Sequence, residues 1–242
     1  MNYDDDINEL NISDLEKNGL QVYRNYKNSF YEHEIKLFIE EVDSKNYENL
    51  ENLKQVLHLM VQEDIKYLPI IICSFADECL EKLLKRIIPE GVPGGSKSIL
   101  DGFGSLSSFS NRIQIAYIFN ILSKDILIEL NSFRKIRNDF AHQWNLEKSK
   151  IKLKTIINSR TIKIEKLLLE KGEISESLDE EDQWKCHLLF FVGRIYYETE
   201  IYYICVQKGL NPEAVLYRGE NNPKLFKEVT KLIHKFLEKY KN

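Results

Sequence analysis

One short segment holds the residue types that a phosphodiester-cleaving site needs. Arg137, Asn138 and His142 lie within six consecutive positions. In a helix, Asn138 and His142 share one face because they are four positions apart, and the long side chain of Arg137 reaches across to it. Histidine moves a proton to or from a ribose hydroxyl or leaving oxygen, and arginine stabilises the phosphate charge of the transition state. The segment predicts cleavage of RNA through its own 2′-OH, without a metal or other cofactor.

The same residues also fit a structural role. An arginine and an asparagine on one helix can bond neighbouring carboxylates and backbone groups instead of a substrate. Asp77 and Glu78, which lie in a strongly apolar segment, are the natural supporting partners for a buried Arg137. A nuclease requires Arg137 and His142 to be reachable from solvent, whereas a structural role allows both to be buried.

Charge is distributed unevenly around this segment. The whole chain carries a formal net charge of −4, but residues 131–170 hold ten Lys or Arg and four Asp or Glu. A local basic face on an acidic protein can attract a polyanion, although a solvated lysine-rich helix gives the same count. Arg134 and Lys135 are candidates for RNA contacts. Ser110 and Arg112, after a Gly-Ser segment, are candidates for holding a phosphate at a helix N-terminus.

These residues are predicted to lie on helices. Glycines (10) and prolines (5) are few, and apolar residues recur at steps of three and four. A short helix from Ser13 is expected to stop at Gly19. Longer helices are predicted over 29–42, 47–64, 67–88, 107–122, 125–144, 150–169, 182–208 and 224–239. The Gly- and Pro-rich stretch 89–108 is predicted to be a loop, and without a following GKS or GKT it is not a nucleotide-binding loop.

Composition bounds the remaining possibilities. Hydrophobic residues make up 43% of the 242 positions, which is too many for a disordered chain. The four cysteines lie in apolar stretches without CxxC spacing and indicate buried free thiols. The histidines lack metal-ligand spacing, so no metal site is predicted. No signal peptide or membrane-spanning run is evident, so we expect a cytoplasmic protein with no membrane partner.

A longer stretch resembles the MltR-type mannitol operon repressor family, within the HEPN-like helical superfamily. Three parts of the sequence carry the resemblance: the helix around Phe75–Leu84, the Gly-Ser-Leu-Ser-Ser-Phe-Ser-Asn-Arg-Ile turn from Gly104, and the block Leu130–His142. The match covers about residues 65–145. Arg137 to His142 is similar to the Arg-x(4–6)-His signature of the superfamily, with Asn138 as the polar residue that usually follows the arginine.

The resemblance implies an all-α, HEPN-like helical bundle that forms a homodimer, with the motif helices of two protomers facing each other. We expect an N-terminal extension (1–44), a core (45–170) and a helical C-terminal extension (171–242). The leading expectation is a metal-independent endoribonuclease, for example a toxin or phage-defence effector. Arg137, Asn138 and His142 would be its catalytic residues. The alternatives are a non-catalytic transcriptional regulator or corepressor, and a helical scaffold that binds protein partners through its C-terminal helices.

Overall fold

The computed structural model describes residues 3–45, 50–142, 151–155, 178–215 and 223–240. Within these ranges the chain consists of helices and connecting turns, and no strand occurs in them. The all-α prediction is therefore confirmed. None of the helices in the described ranges is both long and apolar enough to cross a membrane.

Ten α-helices are resolved in the described ranges. In chain order they are α1 (Asp5–Asn8), α2 (Asp14–Ser44), α3 (Leu50–Gln62), α4 (Leu68–Ile87), α5 (Gly95–Leu100), α6 (Phe109–Ile118), α7 (Lys124–His142), α8 (Glu180–Gln207), α9 (Pro212–Val215) and α10 (Lys224–Leu237). Short 3-10 turns lie at Ile65–Tyr67 and Glu238–Tyr240. Residues 151–155 are helical, and the rest of the helix predicted over 150–169 lies outside the described residues.

Contacts divide the chain into two compact units. The first comprises Met1–Lys45 and Ile204–Pro223, and the second comprises Asn46–Tyr203 and Lys224–Asn242. The candidate motif lies in the second unit. The division at 44/45 and 170/171 that the sequence suggested stays a prediction.

The helix α2 joins the short helix predicted from Ser13 and the longer helix predicted over 29–42 into one element. Ser13 accepts a hydrogen bond from the Glu16 backbone N–H and Glu16 bonds back to Ser13, which forms a capping box. Arg24 then ties α2 to the α1 region by ion pairs of 2.8 Å to Asp4 and 2.7 Å to Asp6. The predicted stop at Gly19 is wrong, because a glycine costs a helix only about 1 kcal/mol and these contacts offset that cost.

The core of the second unit is built on α4. Pro69 lies in the first turn of this helix, where a missing N–H breaks no hydrogen bond. The helix packs against α3, α6 and α7 with an apolar face of Leu68, Ile72, Phe75, Ala76, Leu80 and Leu83, all buried. The helix α7 contributes Ile126, Leu130, Phe133 and Ile136, also buried. This packing fixes α7, and with it the arginines of the motif, against α4.

The helices α8 and α10 approach each other closely at a glycine. A Cβ atom placed on Gly193 would lie 2.3 Å from Ile233 Cδ1 and 3.2 Å from Val229 Cγ1. A side chain at this position of α8 would therefore have to displace the end of the Ile233 side chain. Farther along the second unit, Arg86 Nη1 of α4 donates to Glu200 Oε2 of α8 over 2.7 Å.

The predicted loop 89–108 contains the helix α5. The turn before it places Gly94 and Gly95 at φ values of 78° and 67°, a region that glycine adopts without strain. The Leu106 N–H donates to Ile99 O over 2.9 Å, and the backbone at Gly104 passes so close to Ile99 that a Cβ atom would overlap its carbonyl. Backbone contacts therefore hold most of this stretch in one conformation.

Candidate functional site

The motif occupies the last two turns of α7, whose first turn is held by a buried carboxylate. Ser123 caps the helix by accepting from the Ile126 N–H, at 3.4 Å. Glu198 of α8 is fully buried and accepts from the Ser123 N–H over 3.0 Å. Arg194, one turn earlier on α8, donates to Glu198 over 2.7 Å and to Ser123 Oγ over 3.0 Å. This network fixes the start of the helix that carries the motif.

Arg137 is half-buried and makes no ion pair with a carboxylate of the described residues. Its guanidinium carbon lies 5.7 Å from the centre of the Phe109 ring, within the range of a cation–π contact. Its Nη2 donates to Asn138 Oδ1 over 3.4 Å. Among the described residues, Asn138 is therefore the hydrogen-bond partner of Arg137, and Asn138 itself is exposed.

Asp77 is bonded to Arg112 instead of Arg137. Arg112 Nη1 lies 2.9 Å from Asp77 Oδ1 and 2.9 Å from Glu81 Oε2. The expected direct pair between Asp77 and Arg137 is therefore not observed. Arg137 still acts on Asp77 at longer range: burial raises the pKa of the Asp77 carboxyl, and the charges of Arg112 and Arg137 partly oppose that rise.

Arg112 is itself almost fully buried, at 5% exposure. Besides the two carboxylates, its Nε donates to Leu106 O over 2.9 Å and its Nη2 to Leu100 O over 3.0 Å. These bonds occupy four of the five N–H groups of a guanidinium. Arg112 thereby fastens the segment after α5 to α4. Ser110, the other candidate from this segment, lies half-buried on α6.

Glu78 does not contact the motif. It forms an ion pair with Lys82 on the same helix and accepts from Asn52 Nδ2 of α3 over 3.4 Å. Adjacent residues of a helix point about 100° apart, so Asp77 lies on the side facing α6 and α7 while Glu78 lies on the side facing α3. Of the two proposed supporting carboxylates, the structure brings only Asp77 to the arginines.

Cys73 lies one turn before Asp77 and marks the same face of α4. Burial raises the pKa of its thiol to about 12, and the charges of Arg137 and Arg134 act in the opposite direction. Arg134 is half-buried, and its Nε is buried without a hydrogen-bond partner. An unsatisfied buried donor costs about 1–3 kcal/mol. Two arginines without carboxylate partners among the described residues therefore lie on the face of α7 next to Cys73 and Asp77.

The other basic candidates are placed differently. Lys135 is exposed. Lys152, from the lysine-rich segment, pairs with Asp139 of the motif helix, and Lys154 pairs with Glu180 of α8 at 2.5 Å. In the described part of the segment, Lys152 and Lys154 are therefore paired with neighbouring carboxylates. The net charge of residues 131–170 is therefore larger than the positive charge that this segment can offer to RNA.

His142 is the last residue of α7, and its side chain lies outside the described part of the structure. Its role as an acid or base stays a prediction. Among the described residues, no group of His, Cys, Asp and Glu is arranged to hold a metal ion.

The sequence did not predict the contact of Phe109 with Arg137. It also did not predict that Arg112 bonds Asp77 and Glu81. The pair between Arg112 and Asp77 joins residues 35 positions apart, and no local spacing signals it. No protein-family model, curated protein or solved structure matches the chain. The resemblance to the mannitol operon repressors and the HEPN superfamily stays a prediction.

Proposed function

We propose that this chain is a metal-independent endoribonuclease that acts as a homodimer. The observation that carries the proposal is the state of Arg137: it is half-buried, lies over Phe109 and has no carboxylate partner in the described residues. A purely structural arginine in this position would be expected to use Asp77, which Arg112 occupies instead. An unpaired guanidinium beside a helix face fits the binding of a phosphate.

Arg134 is proposed to contact the same phosphate. It precedes Arg137 by three positions and so lies on the same side of α7. Arg134 is half-buried, and it would add a second positive charge to that of Arg137 beside the phosphate. Lys135 would add a longer-range attraction from solvent. We do not assign Arg112 to the phosphate, because four of its N–H groups are already used.

His142 is proposed as the general base or acid, and Asn138 as the residue that orients Arg137 or the substrate. In the reaction, a base removes the proton from a ribose 2′-OH and the 2′-oxygen attacks the adjacent phosphorus. The bond from phosphorus to the 5′-oxygen breaks, and an acid protonates that oxygen. The products are a 2′,3′-cyclic phosphate and a 5′-hydroxyl, so neither a metal nor water enters the step. By the family resemblance, a second protomer would supply a second His142 for the opposite proton transfer.

The experiment is cleavage of mixed cellular RNA in EDTA by wild type and by Arg137→Met. Removing a transition-state charge stabiliser typically lowers the rate about 10²–10³-fold. The matched control is Lys135→Met, which removes a neighbouring exposed cation and should change the rate far less. Equal rates for wild type and Arg137→Met would reject the role of Arg137. Absence of cleavage by the wild type would favour the regulator or scaffold instead.

A further inference from the structure

An uncharged apolar stripe runs along the exposed side of α2. Its members are Leu15, Gly19, Val22, Tyr23, Tyr26, Phe30, His33 and Leu37. At about 100° per residue, all eight lie within an arc of about 100°. Between residues 15 and 37 no Asp, Glu, Lys or Arg falls in this arc. We call this surface the α2 stripe.

The large side chains of the α2 stripe are exposed to solvent. Exposure of its large side chains ranges from 36% at Leu37 to 82% at Leu15, and Tyr26 is 70% exposed. The buried residues of α2 (Gln21, Phe38 and Val42) lie on the opposite side of the helix. The α2 stripe is therefore a second apolar face, in addition to the face that α2 buries.

The exposed area is large for a surface without a partner. The three aromatic residues alone present about 300–450 Å², because a fully covered aromatic side chain buries about 150–250 Å². With Leu15, Val22 and Leu37 the total is on the order of 600 Å². That is at the upper limit of the apolar patches found on monomers and approaches the about 800 Å² that each partner contributes to a stable interface.

The spacing of the stripe suits a second copy of the same helix. Members of the α2 stripe lie 4, 7 and 11 positions before Tyr26 and 4, 7 and 11 positions after it. A two-fold axis at Tyr26 would place Phe30 opposite Val22 and His33 opposite Gly19 of the other copy. It would likewise place Leu37 opposite Leu15. Phe30 and His33 thus meet smaller residues, Leu37 meets a second leucine and Tyr26 meets its own copy, so the surface is self-complementary as an isologous interface requires. The mean step of about 3.7 residues keeps two nearly straight helices in contact.

A membrane surface fits the helix less well. Amphipathic helices that lie on membranes carry Lys and Arg on their polar face. The helix α2 as a whole holds seven Asp or Glu and four Lys or Arg over residues 14–44. We propose that the α2 stripe is the interface of an antiparallel homodimer centred on Tyr26. The motif residues are not part of the α2 stripe, so this interface is separate from the motif-facing pairing of the proposed nuclease, and a chain that uses both assembles beyond a dimer.

The first test is sedimentation equilibrium of the full chain and of Tyr26→Asp. We expect the wild type to self-associate, and we expect Tyr26→Asp to raise the dissociation constant of the α2 pairing about 30-fold or more, as for a residue at an interface centre. The mass of the assembly should then fall by half. Because Tyr26 is exposed in the protomer, the change should leave the helical circular dichroism intact. The matched control is Asn28→Asp, an exposed residue on the opposite side of α2, which should leave the dimer unchanged. A monomeric wild type, or an assembly whose mass is indifferent to Tyr26→Asp, would overturn the proposal.

A cysteine-pairing experiment tests the direction of the helices. The four native cysteines are buried, so Leu15→Cys and Leu37→Cys would be the accessible thiols. An antiparallel dimer predicts a disulfide between these two variants when they are mixed, and little disulfide in either variant alone. In that arrangement the two copies of position 15 are about 33 Å apart. Efficient disulfide formation by Leu15→Cys alone would contradict the antiparallel arrangement.

Discussion

Arg112 Nη1 and Asp77 Oδ1 lie 2.9 Å apart in the second unit, and the arginine is 5% exposed. Replacing Arg112 with methionine leaves two carboxylates and two carbonyl oxygens without their donor. Removing one partner of a buried ion pair costs about 3–5 kcal/mol, and we expect a loss of this size in the free energy of unfolding. Urea denaturation measures it. Arg137→Met is the comparison, and we expect it to cost about 1 kcal/mol or less, the value of its contact with Phe109.

If the two arginine variants were destabilised equally, the distinction between a structural Arg112 and an available Arg137 would fail. The same pair of variants also separates stability from function. Arg137→Met should keep the fold while losing RNA cleavage.

Folding should shift the pKa values of the two carboxyls that share Arg112 in opposite directions. Burial raises the pKa of Asp77 in the folded chain, whereas hydrogen bonding with Lys85 lowers the pKa of Glu81. Folded Asp77 therefore holds its proton more tightly than unfolded Asp77, and its contribution to stability is lost as the pH rises from about 3.8 through the raised pKa. The contribution of Glu81 is present above pH 4.5 and is lost as the pH falls through its lowered pKa.

Unfolding free energies of wild type, Asp77→Asn and Glu81→Gln between pH 3 and 7 test this assignment. The difference between wild type and Asp77→Asn should decrease with rising pH, and the difference between wild type and Glu81→Gln should increase. Two differences with the same sign of slope would contradict the burial and bonding described for this pair.

Gly193 should not tolerate a methyl group. Alanine is the better helix former by about 1 kcal/mol, but its Cβ would lie 2.3 Å from Ile233 Cδ1. We expect Gly193→Ala to lose about 1–3 kcal/mol through overpacking. Ile233→Val removes the clashing atom and should therefore be better tolerated with Gly193→Ala than alone. A double-mutant cycle by thermal or urea unfolding measures this coupling, and strict additivity would argue against a close approach of α8 and α10.

The four cysteines should be unreactive in the folded protein. All are buried, and burial raises the pKa of each thiol to about 12. Thiolate is the reactive form, so little reagent should react at pH 8 before unfolding. Titration with a chromogenic disulfide reagent should find four thiols in denaturant and almost none without it. Rapid labelling of one native cysteine would contradict its burial.

Regular apolar spacing predicted the helices of the second unit well. The segment 67–88 repeats apolar residues at steps of three and four, and α4 spans Leu68–Ile87. The continuation of α2 past Gly19 was missed because this part of the helix is stabilised by contacts with the α1 region, notably those of Arg24 with Asp4 and Asp6. Such contacts between separate elements leave no periodic pattern in the sequence.

The motif itself was identifiable from residue types, but its surroundings were not. The spacing of Arg137 and Asn138 placed both on α7, as observed. Whether Arg112 or Arg137 would pair with Asp77 depended on the packing of α6 against α4. Arg112, which forms the pair, is 35 positions from Asp77. Local spacing predicts which side chains share a helix face, while tertiary packing decides which of them remain available.

The role of His142 as general acid or base can be tested by metal-free RNA cleavage with His142→Ala. Wild type and the variant would be incubated with mixed cellular RNA in EDTA, with His58→Ala as control because His58 is an exposed histidine on α3. Loss of a general acid or base lowers a rate by about 10²–10⁴-fold. We expect such a loss for His142→Ala, near wild-type cleavage for His58→Ala, and products ending in a 2′,3′-cyclic phosphate. Equal cleavage by wild type and His142→Ala, or none by the wild type, would contradict this role.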